Sequence, residues 1–146
     1  MASPLLAQAQ AVDLPAFQQV LAPDQQAIVY ASVNGELLAF LVDRSSVQVF
    51  RRLTTMDTLE SAIAEFRFQM GRVEVDPGYV ARHSARLESR LRAALQQLYQ
   101  LLVAPLAAAL AAERLLFVPF GQIHRLPLHA LWDGEQYLIE RAECSY

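Results

Sequence analysis

Apolar and polar positions follow two different periods along this chain, and the change of period marks its parts. Residues 27–33 and 36–42 are rich in β-branched and aromatic residues and are separated by Asn34-Gly35. That dipeptide favours a type I′ turn, because both central residues need positive φ. The turn would pair Val33 with Glu36, Ala31 with Leu38 and Val29 with Phe40. A second turn at residues 43–46 leads into a third strand at 47–51, with Val47, Val49 and Arg51 on one face. The pattern predicts a three-stranded antiparallel meander.

The period then lengthens. Leu59, Ile63, Phe66 and Met70 recur at steps of four, three and four, which is one face of a helix. Asp57 and Glu60 fit a box that opens this helix, and Gly71 is placed to close it. Asp76-Pro77-Gly78 reads as a loop. A longer helix is expected over residues 80–103, burying Leu87, Leu91, Ala94, Leu95, Leu98 and Leu102, until Pro105 ends it. Residues 115–118 form an apolar run of strand length, as in a strand buried on both faces. Tyr137 to Arg141 read as a further strand. Before the meander, residues 14–21 suit a short helix with Asp13 as N-cap and Pro15 in the first turn. Residues 1–12 read as a flexible lead-in. The fold class is α/β: an N-terminal antiparallel meander, two helices, one of them long, then the buried strands of a mixed sheet.

Composition narrows the chemistry. The 54% hydrophobic and 18% charged residues exclude a disordered chain. A net charge of −3 gives nucleic acid no basic face, so no nucleic-acid partner is expected. All 12 cationic side chains are Arg, which removes Lys nucleophiles, Schiff bases and a phosphate-loop lysine. Cys144 is the one cysteine, so an internal disulfide is impossible and a reducing, cytoplasmic setting is the expectation. No run reaches the roughly 18 apolar residues of a membrane span. No internal repeat is visible, and no cofactor is implied.

Cys144 with His124 or His129 invites a thiol–imidazole dyad, which needs a thiolate held at hydrogen-bond distance from its base. Glu143-Cys144-Ser145 carries no glycine-rich turn to supply oxyanion-stabilising amides, and a lone strand cysteine is usually a small buried hydrophobe. His124 and His129 stand five apart across Pro127, unlike a helical metal pair. His124 is expected to hydrogen-bond and order the loop after the apolar strand, with His129 half-exposed. Arg82, Arg86 and Arg90, with Arg92 nearby, form a basic stripe on the long helix, read either as an anionic docking face or as a solvated face offset by Glu88.

The stretch Val118-Pro119-Phe120-Gly121-Gln122-Ile123-His124-Arg125-Leu126-Pro127-Leu128-His129-Ala130-Leu131, followed by Tyr137-Leu138-Ile139-Glu140-Arg141, resembles the middle of a CHAT domain. This is the caspase-like module associated with tetratricopeptide repeats. The hairpin at 30–42 and the Leu98-to-Leu106 segment resemble that family's first hairpin and its helix ending in a Leu-x-x-Pro-Leu turn. Phe120 departs from the family, which often has a small polar residue there.

The resemblance implies an incomplete caspase-like three-layer sandwich, with residues 13–146 as the N-terminal, non-catalytic part. The family's full domain is a cysteine peptidase with a His-Cys dyad. Its histidine follows an apolar strand and its cysteine ends a Leu-Ser-Ala-Cys-like strand; neither motif occurs here, so no catalytic residue is carried over. Pro119, Gly121, His124, Leu126 and Pro127 are motif positions with a structural role. Implied partners are upstream repeats, the catalytic half of the same polypeptide and a protein substrate, with no membrane partner. Self-association is expected from unpaired apolar surface. A non-enzymatic interaction or regulatory module is the alternative, and an autonomous small-molecule-binding domain a weaker one.

Overall fold

The computed structural model describes residues 13–75 and 77–146. The expected lead-in at 1–12 lies outside them. Helix α1 (Leu14–Val20) starts where Asp13 accepts a hydrogen bond from the Ala16 amide at 3.4 Å. Strands β1 (Gln25–Val33), β2 (Glu36–Val42) and β3 (Val47–Thr55) form the meander. The β1–β2 register pairs Val33 with Glu36, Ala31 with Leu38 and Val29 with Phe40, as the turn chemistry required. Asn34 and Gly35 take φ of 52° and 75°, the positive values a type I′ turn needs.

The third strand outruns its expected span by four residues. Its register with β2 shifts between Leu37 and Ala39, so residues 51–53 oppose Leu38 alone, and Arg52 takes φ of 55° there. The bulge lets β3 continue although its polar residues break the alternation.

Helices α2 (Met56–Val75) and α3 (Pro77–Leu102) follow. The Thr58 amide donates to Thr55 Oγ1 at 3.1 Å, so Thr55 fills the capping role expected of Asp57, which sits inside the first turn instead. Gly71 does not close α2; the helix runs through it to Val75. Pro77 and Gly78 open α3 rather than forming a loop, Asp76 being outside the described residues. Proline is tolerated there because the first-turn amides have no intrahelical partner. A 3₁₀ helix (Ala104–Ala109) ends α3 at Pro105 as expected.

Strand β4 (Arg114–Val118) then enters the sheet beside β1, in parallel. Its burial is one-sided: Leu115 and Phe117 are 2% and 1% exposed, whereas Leu116 and Val118 are only half-buried. The expectation of a strand covered on both faces fails because, among the described residues, only α1 and Leu21 pack on part of the second face. Tyr137 to Arg141 is not a strand either. Leu138–Arg141 forms a short helix, α4, and the parallel neighbour of β4 is β5 (Glu143–Ser145). Glu140 reaches back to the Tyr137 amide at 2.7 Å, a local bond that a strand would forgo.

Among the described residues the result is an open five-stranded mixed sheet of order β3-β2-β1-β4-β5. One face carries Ile28, Tyr30, Leu37, Ala39, Leu115 and Phe117 and packs on Leu59, Ile63, Leu95, Leu98 and Leu102 of the two long helices. Each of the Leu, Ile and Phe side chains among them contributes about 1.5–3 kcal/mol by burial. The Tyr30 hydroxyl donates to the Leu102 carbonyl at 2.7 Å, which ties the end of α3 to the sheet. No helix among the described residues is long and apolar enough to cross a membrane.

Candidate functional site

The segment after β4, with both its histidines, and Tyr146 after β5 lie beyond the carboxyl ends of these parallel strands, where open α/β sheets usually place ligands. β4 gives way to Pro119 and Phe120 in extended conformation, and Gly121 takes φ of 54° to start a 3₁₀ turn (Gly121–Arg125). A second turn (Leu128–Ala130) follows Pro127. Ile123, Leu126, Leu128 and Leu131 are all at most 4% exposed, so the motif folds back as an apolar plug over the core. The positions between them, Gln122, His124 and Arg125, face solvent.

His124 therefore does not order the loop. Its ring is exposed and makes no hydrogen bond among the described residues. His129 is half-exposed as expected, and it is the engaged histidine, with Nδ1 2.7 Å from the Tyr146 hydroxyl and its amide donating to that oxygen at 3.1 Å. Tyr146 also lies against Phe117, ring centroids 6.1 Å apart. Among the described residues no cluster of three His, Cys, Asp or Glu could hold a metal.

Cys144 pairs with Leu115 in the β4–β5 ladder and packs half-buried against the core. Its thiol donates to the Ala142 carbonyl at 3.5 Å, and burial pushes its pKa up. An activated nucleophile needs the reverse: a lowered pKa and a base in reach. No imidazole hydrogen-bonds to it among the described residues.

Sequence reasoning placed Arg92 beside a basic stripe, but the structure gives it separate work. Its Nε donates to the Tyr137 hydroxyl at 3.1 Å, its guanidinium lies 4.7 Å over the Trp132 ring, and Glu88 pairs with it at 3.0 Å. The Tyr137 hydrogen bond is the main reason its pKa is raised. The available signal was Trp132 and Tyr137 flanking an Asp133-Gly134 turn. That turn is held by Asp133 Oδ1, which accepts from the Gln136 and Glu135 amides at 2.8 and 2.7 Å and is pushed down in pKa by them.

Arg82, Arg86 and Arg90 are exposed, but they do not form one continuous stripe. His83 takes a non-helical φ of −129° between the first and the other two. Among the described residues no histidine hydrogen-bonds to the Cys144 thiol, so no thiol–imidazole pair is assembled.

No curated protein matches the chain. The family model of the CHAT domain matches residues 92–146, which covers the end of α3, the plug, β4 and β5, so the resemblance seen in the sequence is borne out over that segment.

Proposed function

We propose that residues 13–146 are the scaffold part of a caspase-like cysteine peptidase of the CHAT type, with thiol and imidazole supplied by another segment of the same polypeptide. In that polypeptide the imidazole would take the thiol proton, the thiolate would attack the scissile carbonyl of a protein substrate, and the proton would pass to the leaving amine. The observation that carries the reading is the open end of the parallel sheet. β5 pairs with β4 on one edge, and its other edge has no partner among the described residues. An unpaired parallel edge leaves backbone groups to be satisfied by a further strand. The match of residues 92–146 to the CHAT domain supports the same reading. The raised thiol and hydrogen-bonding of Cys144 fit a packing role for this cysteine.

The test is mass-spectrometric mapping of a biotinylated peptidyl chloromethyl ketone on the polypeptide expressed from the native gene. The label is expected on a cysteine other than Cys144 and should be unchanged in Cys144→Ser. A label on Cys144, or none on any cysteine, overturns the proposal.

A further inference from the structure

The second face of the sheet is apolar over β1, β2 and β3, and the described residues cover it at one end only. Phe17 and Leu21 pack there on Ala27, Val29, Phe40 and Val42. Beyond them Val33 and Val49 are 53% and 47% exposed. Val33, Leu38, Phe40 and Val49 line a groove of about 550 Å³, and Arg51 and Arg52 form its charged side. Contiguous apolar surface with a polar rim marks an interaction site more often than bare exposure does.

Charge decides between occupants. The groove's charged lining is two arginines against Glu36, and Arg52 already engages that carboxylate at 3.7 Å. Arg51 has no ion pair among the described residues. The groove thus carries positive charge on a chain whose net charge is −3. A second copy seated face to face would bring the same arginines with it, setting like charge against like. Both arginines lie in the bulged segment of β3, where Arg52 takes φ of 55°.

We infer that this groove docks an amphipathic helix of a partner protein, its apolar stripe on Val33, Leu38, Phe40 and Val49 and its acidic flank against Arg51 and Arg52. A helix suits the site because α1 already packs on the same face through Phe17 and Leu21. The inference uses neither the thiol nor the imidazole of the peptidase reading.

The test uses two fluorescein-labelled helical peptides of about 18 residues, identical in their leucine stripe and flanked by Glu in one and Lys in the other. Anisotropy titrations should show the Glu-flanked peptide binding about tenfold tighter, the gain expected of one or two exposed ion pairs. Arg51→Glu should erase that preference, and Val49→Asp should remove binding of both peptides. Both residues are exposed, so the variants should keep the parent's melting temperature. Equal affinities, absent binding, or an unchanged preference in Arg51→Glu would overturn the inference. So would sedimentation showing a dimer that Val49→Asp dissociates, which would make a second copy the occupant.

Discussion

Arg92 and Tyr137, 45 positions apart in sequence, are joined by a 3.1 Å hydrogen bond from guanidinium Nε to phenolic oxygen. Trp132 completes the contact: its ring centroid is 4.8 Å from that of Tyr137 and 4.7 Å below the guanidinium. One cation thus pins both ends of the Asp133-Gly134 turn to α3, and with them the approach to β5. Lys would lack the planar fork that stacks and donates at once.

Arg92→Lys should therefore loosen this turn while leaving the helix intact. Trp132 is the single tryptophan, so its fluorescence reports the site directly. The variant's emission should move to the red and be quenched more readily by acrylamide, with helical circular dichroism unchanged. An unaltered emission would show that the stacking does not shield the indole.

Gln26 offers a second test. Its Nε2 donates to the Ala109 carbonyl at 3.1 Å, and its Oε1 accepts from the Ala111 and Ala112 amides at 3.0 Å each. One buried side chain satisfies three backbone groups of the segment that turns from the 3₁₀ helix into β4. Gln26→Leu would leave those groups unpaired at a cost of about 2–4 kcal/mol, read from urea unfolding. A loss below about 0.5 kcal/mol, the range of neutral surface changes, would mean that water replaces the amide.

How much of this was readable beforehand depends on the range of the forces. The β1–β2 hairpin was legible to the residue because Asn34-Gly35 fixes its register locally. The buried face of α3 followed from its leucine spacing. Helix ends were not: Thr55 outcompetes Asp57 as a cap because β3 runs past Arg51, and that extension depends on the bulge opposite Leu38. Tyr137 to Arg141 has strand composition, yet Glu140 closes a local bond and Arg92 holds Tyr137 from another element. In the segment after β4, Leu126 was legible as a structural position of the motif, and it is buried. The hydrogen bond of His129 was not, since it is set by Tyr146 arriving from β5.

Tyr30 links stability to alkaline pH. Burial pushes its phenol well above its ordinary range, and its hydroxyl donates to the Leu102 carbonyl. The folded state therefore keeps the proton when the unfolded chain releases it. A raised folded pKa stabilises fully below the unfolded value of about 10 and loses that contribution as pH rises, by about 1.4 kcal/mol per pH unit. Tyr30→Phe should cost about 1–2 kcal/mol near neutrality by stranding the Leu102 carbonyl. The variant should also show a shallower loss of stability between about pH 10 and 11. Parallel slopes in paired urea titrations would refute the linkage.

Cys144 gives the sharpest check on whether this segment carries its own nucleophile. Its thiol is pushed up by burial, and its hydrogen goes to the Ala142 carbonyl, an acceptor that favours the protonated form. Because the folded state prefers the neutral thiol, its stabilising contribution is present below the unfolded pKa of about 8.5 and fades as pH rises through the folded value. The reacting species toward a disulfide reagent is the thiolate. The folded chain at pH 8 should thus react more slowly than the same chain in urea, and its rate should keep climbing at pH values where the unfolded thiol has levelled off. A folded-state rate that exceeds the unfolded one, or that levels off below neutrality, would mark Cys144 as an activated thiol and return it to the list of candidate nucleophiles.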